Sequence, residues 1–81
     1  MVEEDMAVLG KVREILAQVL DMDDNQIGSH TSFRDELELD SLQKIELIAR
    51  TERAFDRTLD LHEVAVADTL ADLVPLLRGA A

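Results

Sequence analysis

Apolar residues return along this chain at helical spacing, and no stretch alternates as a strand would. Val8, Leu9, Val12, Leu16, Val19 and Leu20 share one face, with Lys11, Glu14 and Gln18 mostly opposite, which predicts a first helix over about residues 3–20. From Asp21 to Leu39 the chain is polar and acidic, contains Gly28, and carries only single apolar residues: Ile27, Phe33, Leu37 and Leu39. That is the pattern of a long loop pinned to a core; structureless loops of such length are uncommon in compact domains and count either against the assignment or towards a function, and delivering Ser41 to the surface supplies one. A second helix is expected from Ser41 to about Asp56. At about 100° per residue, Leu47, Ile48, Thr51 and Phe55 cluster on one side with Ile45 at its edge, so this side should be buried. The other side holds Leu42, Glu46, Ala49, Arg50, Arg53 and Arg57. Lys44 projects toward the buried side, where its stem should pack while its ammonium reaches water.

Local start signals sharpen the boundaries. Asp40 and Gln43 form an Asp-x-x-Gln capping box, which places Ser41 at the first helical position with its side chain toward solvent. Asp60 and Glu63 repeat the pattern and open a short third helix over about 61–66, with Leu61 and Val64 as anchors. Asp68 or Thr69 starts a fourth helix, whose stripe is Leu70, Leu73, Val74 and Leu77. Pro75 lies inside that stripe, and a helix-interior proline costs about 3 kcal/mol, so a kink or frayed end is expected there. The fold class is all-α: residues 1–81 as one small four-helix bundle, three longer helices and a short third, with the long loop between the first two.

Composition narrows what such a bundle can do. Two phenylalanines are the only aromatics, so the core must be aliphatic. Cysteine is absent, which removes disulfides, thiolate metal sites and cysteine nucleophiles together. No apolar run approaches the ~18 residues of a membrane span, and the opening Met-Val-Glu-Glu-Asp is acidic where a signal peptide would be basic, so a cytoplasmic protein without membrane contact is expected. The formal charge of −10 argues against nucleic acid and favours basic partners. It is unevenly spread: −6 falls on residues 21–40, whereas residues 41–59 sum to +1.

Ser41 is the candidate for chemistry. A phosphate attached there would sit at the positive end of the helix dipole, worth roughly 0.3–1 kcal/mol at an exposed position. A catalytic serine would need a base. The only histidines, His30 and His62, have no triad spacing to Ser41, and its flanks lack the glycines of a G-x-S-x-G elbow, so no enzyme is expected. Asp21, Asp23 and Asn25 match the opening of a calcium loop, but Gln26 stands where the turn glycine belongs and Ser32 where the bidentate glutamate belongs. A solvated acidic loop with no metal site is the better account.

The segment Phe33-Arg34-Asp35-Glu36-Leu37-Glu38-Leu39-Asp40-Ser41-Leu42 resembles the attachment signature of acyl carrier proteins, the phosphopantetheine-binding carriers, and the resemblance runs from about Val8 to Leu77. It implies the helical fold just described. It also implies that a phosphopantetheinyl transferase links 4′-phosphopantetheine from coenzyme A to Ser41, and that the arm's thiol carries acyl groups as thioesters. Asp40 would help a divalent cation organise the coenzyme A pyrophosphate in the transferase complex, besides capping the helix. Exposed Leu42 beside the serine, continued by Glu46, Ala49, Arg50 and Arg53, is the expected docking strip. Two departures matter. Carriers of this kind commonly read Leu-Gly-x-Asp-Ser-Leu, and this chain has Glu38 at the glycine position; the second helix, typically acidic in fatty-acid synthase carriers, here carries Lys44, Arg50, Arg53 and Arg57.

The expectation is therefore a discrete, monomeric acyl carrier that shuttles intermediates among an acyltransferase or ligase and ketosynthase-like enzymes, in polyketide or other specialised acyl biosynthesis. Met1 and the short tail agree with a free-standing chain. A fatty-acid synthase carrier and an aminoacyl or peptidyl carrier are the alternatives, and an unmodified helical adaptor is the reading of a different class.

Overall fold

The structure, a computed structural model, describes residues 3–79. It contains α1 (Glu3–Leu20), α2 (Ser41–Phe55), α3 (Leu61–Val66) and α4 (Leu70–Gly79), with no strand among the described residues. The spans of α1, α2 and α3 and the start of α4 match the predicted ones within a residue or so, because they are set by caps and by apolar spacing that are local in sequence. None of the helices is long and apolar enough to cross a membrane.

Against α1 pack both α2 and α4. Flanked on two sides, α1 buries a wider stripe than the sequence pattern suggests: Leu9, Val12, Ile15, Leu16 and Ala17 are buried, while Val19 is only half-buried. Leu47, Ile48 and Thr51 of α2, and Leu70, Leu73, Val74 and Leu77 of α4, complete the helical core as expected, with Phe55 packed at its margin. Thr51 is fully buried and its hydroxyl has no acceptor among the described residues, a cost of about 1–3 kcal/mol that the surrounding packing must offset.

Three expectations need correction. Ile45 is 64% exposed and Leu61 is 76% exposed, so neither joins the core; Leu59, just before α3, supplies the anchor that Leu61 was expected to give. The third concerns the frayed end expected at Pro75: α4 continues through the proline to Gly79. The proline is exposed, and the carbonyl it leaves unpaired belongs to Ala71, one turn back on the same face.

The helix ends use acidic residues where glycine is usual. Asp21 after α1 and Asp56 after α2 both take left-handed backbone, with φ of 55° and 52°. They close Schellman-type ends in which the Met22 and Arg57 N–H groups donate to the Ala17 and Glu52 carbonyls, each at 3.0 Å. Thr69, not Asp68, caps α4: its hydroxyl accepts from the Asp72 N–H at 3.1 Å, and the Asp72 carboxylate accepts from the Thr69 N–H at 3.2 Å. Asp60 caps α3 by accepting from the N–H groups of His62 and Glu63.

Candidate functional site

The loop between α1 and α2 holds a 3-10 turn (Asp24–Gln26) and is fixed at its middle. Phe33 and Ile27 are each 2% exposed, so both are core residues contributed by the loop. The backbone around Phe33 is clamped twice: its N–H donates to the Asp68 carbonyl at 2.7 Å, and its carbonyl accepts from the Leu39 N–H at 2.8 Å. The Asp68 carboxylate accepts from the Ser32 hydroxyl at 2.5 Å and from the Arg34 N–H at 3.1 Å. Thus Asp68, legible in sequence only as a possible cap, ties the loop to the α3–α4 connection.

The Ser32 hydroxyl and then the Arg34 N–H hold the Asp68 carboxyl below its ordinary range, with help from the charges of Arg34 and Lys44. A depressed folded-state pKa stabilises the fold above the unfolded-state value, about 3.9 for Asp, and the contribution is lost as pH falls through the folded value. Asp68→Asn should therefore melt below wild type at pH 7, and the two should converge as the pH is lowered past about 4. Circular dichroism melts between those limits read the difference.

The second determinant lies at Glu38, which takes left-handed backbone with φ of 52°. Here the conformation for which the family pattern uses glycine is kept without one. A side chain in that region costs about 1–2 kcal/mol, whereas a glycine adds about 0.4–1 kcal/mol of unfolded-chain entropy. Glu38→Gly should consequently stabilise the protein by roughly 0.5–1 kcal/mol, a rise of a few degrees in Tm by calorimetry.

From this bend the chain enters α2. The Asp40 carboxylate accepts from the Gln43 N–H at 2.7 Å, and the Gln43 side-chain oxygen accepts from the Asp40 N–H at 3.1 Å, so the box read from sequence is formed in both directions. Ser41 follows as the first helical residue and is exposed.

Two depressions meet at Ser41. A polar cavity of about 630 Å³ lies between the loop and the α3–α4 connection, lined by Phe33, Arg34, Asp35, Leu39, Asp40, Lys44 and residues 65–68. An apolar groove of about 450 Å³ runs between α2 and α3 and includes Ile45, Ile48, Ala49, Leu61, Val64 and Ala65. Ile45 and Leu61 stay outside the core because they line this groove. Lys44 borders both depressions, and its ammonium donates to the Ala67 carbonyl at 2.9 Å and to the Ala65 carbonyl at 3.2 Å, at the end of α3, partners that the sequence did not indicate.

The outward face of α2 presents Leu42, 78% exposed, with Glu46, Ala49 and Arg53 also exposed. Arg50 forms an ion pair with Glu46 at 2.7 Å, one helical turn away, and Arg53 on this strip has no ion-pair partner among the described residues. His30 and His62 are exposed, and neither lines a depression at Ser41.

A serine so placed has room for a tether, and neither histidine of the described residues lines the depressions beside it; the class this fold and site define is a carrier protein. The donor set suits a phosphopantetheine: an outward hydroxyl at a helix start, Arg34 and Lys44 on the polar wall, and apolar surface within the adjoining groove.

Residues 10–77 match the family model described as "Phosphopantetheine attachment site", and the chain belongs to the acyl carrier protein family. It is 37% identical over 73 residues to "Acyl carrier protein 3" of Ralstonia nicotianae, covering 90% of this chain and 84% of that one. Against the "Acyl carrier protein" of Rubrobacter xylanophilus the identity is 36% over 67 residues, 83% of each chain. The fold is similar to that of the acyl carrier protein from Enterococcus faecalis, with a TM-score of 0.76 at 21% identity, covering 95% of this chain and 98% of the other. Proteins of this family carry covalently attached 4′-phosphopantetheine and are carriers, not catalysts; they interact with phosphopantetheinyl transferases and acyl-processing enzymes.

Proposed function

We propose that Ser41 is the residue that bears 4′-phosphopantetheine, and that the protein is a discrete, monomeric carrier of acyl thioesters comprising residues 1–81 as one domain. The observation that carries this reading is the exposed hydroxyl at the first position of α2, fixed by the Asp40–Gln43 box. Asp40 then has two roles, as cap and as a carboxylate near the divalent cation that orders coenzyme A in the transferase complex. The compartment is the cytoplasm, where coenzyme A supplies the arm.

Incubation with coenzyme A, magnesium and a broad-specificity phosphopantetheinyl transferase tests the assignment. The product should gain one phosphopantetheine mass, mapped to Ser41, and one titratable thiol, which is diagnostic because the chain has no cysteine. An unmodified helical adaptor would remain unchanged.

The strip Leu42, Glu46, Ala49, Arg50 and Arg53 is the docking surface in this reading. Its positive balance favours polyketide or other specialised acyl biosynthesis over a fatty-acid synthase, since enzymes that grip an acidic helix with Lys and Arg meet like charge here. Charge reversal by Arg50→Glu with Arg53→Glu should raise the affinity for such a basic ketosynthase about tenfold at low salt, with the gain shrinking as salt is added. No gain in a binding titration would remove the strip from the interface. The intact mass of the protein isolated from its host identifies the cargo, and an aminoacyl mass would favour the aminoacyl or peptidyl carrier.

A further inference from the structure

The Lys44 ammonium is held in an unusual way for a lysine on a surface helix. Two of its three N–H donors are spent on the Ala65 and Ala67 carbonyls, and no carboxylate of the described residues forms an ion pair with it. One donor is left over, and the positive charge, felt by Asp68, has no ion-pair partner among the described residues. Ser41 and Lys44 are one helical turn apart, with β-carbons about 5–6 Å from each other by helix geometry, and both border the polar cavity.

A phosphodiester on Ser41 brings a full negative charge to a wall that already carries Asp35, Asp40 and Asp68. Two cations face that wall, Arg34 from the loop and Lys44 from α2 itself. Arg34 is exposed, whereas Lys44 is half-buried and tied at two points, so its charge reaches an anion on Ser41 with little further loss of side-chain freedom.

We propose that Lys44 is the internal counter-ion of the arm: a positioning residue that holds the phosphodiester on Ser41 over the polar cavity while the distal thiol stays free. The proposal rests on Ser41 being the attachment residue, and the experiment separates the two. Wild-type protein labelled with ¹⁵N lysine is loaded with coenzyme A, and intact mass first shows whether Ser41 was modified. If it was not, both readings fall. In the loaded protein a through-bond coupling between the Lys44 Nζ and the phosphorus, absent in the unloaded protein, is the expected result, and it requires no variant.

Lys44→Met keeps the aliphatic stem and removes the charge. Its phosphorus transverse relaxation should fall about twofold relative to wild type as the root of the arm is released, and Lys44→Arg should restore it. A merely structural role for the two carbonyl bonds would lower the Tm of the unloaded and loaded forms alike. The counter-ion role predicts an extra loss confined to the loaded form, diminishing in about 0.5 M salt. A modified Ser41 with no Nζ–phosphorus coupling and equal phosphorus relaxation in wild type and Lys44→Met overturns the inference.

Discussion

Ser41→Ala is expected to abolish phosphopantetheinylation completely while leaving the Tm of the unloaded protein within about 4 °C of wild type. The two halves of this expectation have separate causes. Loading needs the oxygen itself, and the other serines do not offer an equivalent. Ser29 is half-buried with its hydroxyl accepting from Arg13, and the Ser32 hydroxyl is bonded to Asp68. Stability, in contrast, owes little to the Ser41 side chain. The helix start is capped by Asp40 and Gln43, position 41 is exposed, and alanine is the better helix former by a few tenths of a kcal/mol. Intact mass spectrometry and a thermal melt on the same sample check both halves. Residual loading of the alanine variant would mean that another side chain is the acceptor. The comparison with Asp40→Ala is instructive, because loss of that cap costs about 1 kcal/mol, so slower loading there mixes chemistry with folding.

How much of this site could be read from the chain depends on the range of the forces involved. The Asp40–Gln43 box and the spans of α1 and α2 were legible because capping and helical periodicity act within a few residues. The exposure of Ile45 and Leu61 was not. A helical wheel assigns each residue a face, but whether that face meets a neighbour depends on where α3 settles, and it leaves a groove between itself and α2. Lys44 shows the same limit: its orientation toward the protein was readable, but the carbonyls that receive it lie more than twenty positions away. At Glu38 the sequence shows the family's glycine replaced, and the left-handed backbone shows that the bend is kept with a side chain on it. Asp68 offered a cap in sequence, and Ser32 and Arg34 claimed its carboxylate across the fold.

Phe33→Ala is expected to cost about 3–5 kcal/mol, the range for removing a buried aromatic ring. For an 81-residue chain whose total stability should be about 4–12 kcal/mol, that loss is a large share, and the Tm should fall by about 12 °C or more on the scale of about 4–8 °C per kcal/mol. The ring is 2% exposed and is the one fully embedded side chain in the segment just before the serine, while its backbone is bonded to both Asp68 and Leu39. Removing it leaves Glu38 in a strained conformation with less packing to hold it there. The loading rate should therefore drop even at a temperature where the variant is still folded. Leu77→Ala supplies the control: Leu77 is equally buried near the far end of α4, its loss should cost about 2–5 kcal/mol, and the loop is untouched. If both variants load at the same rate relative to their folded fraction, Phe33 is only a core residue. A specific deficit in Phe33→Ala makes the aromatic anchor part of how the serine is presented.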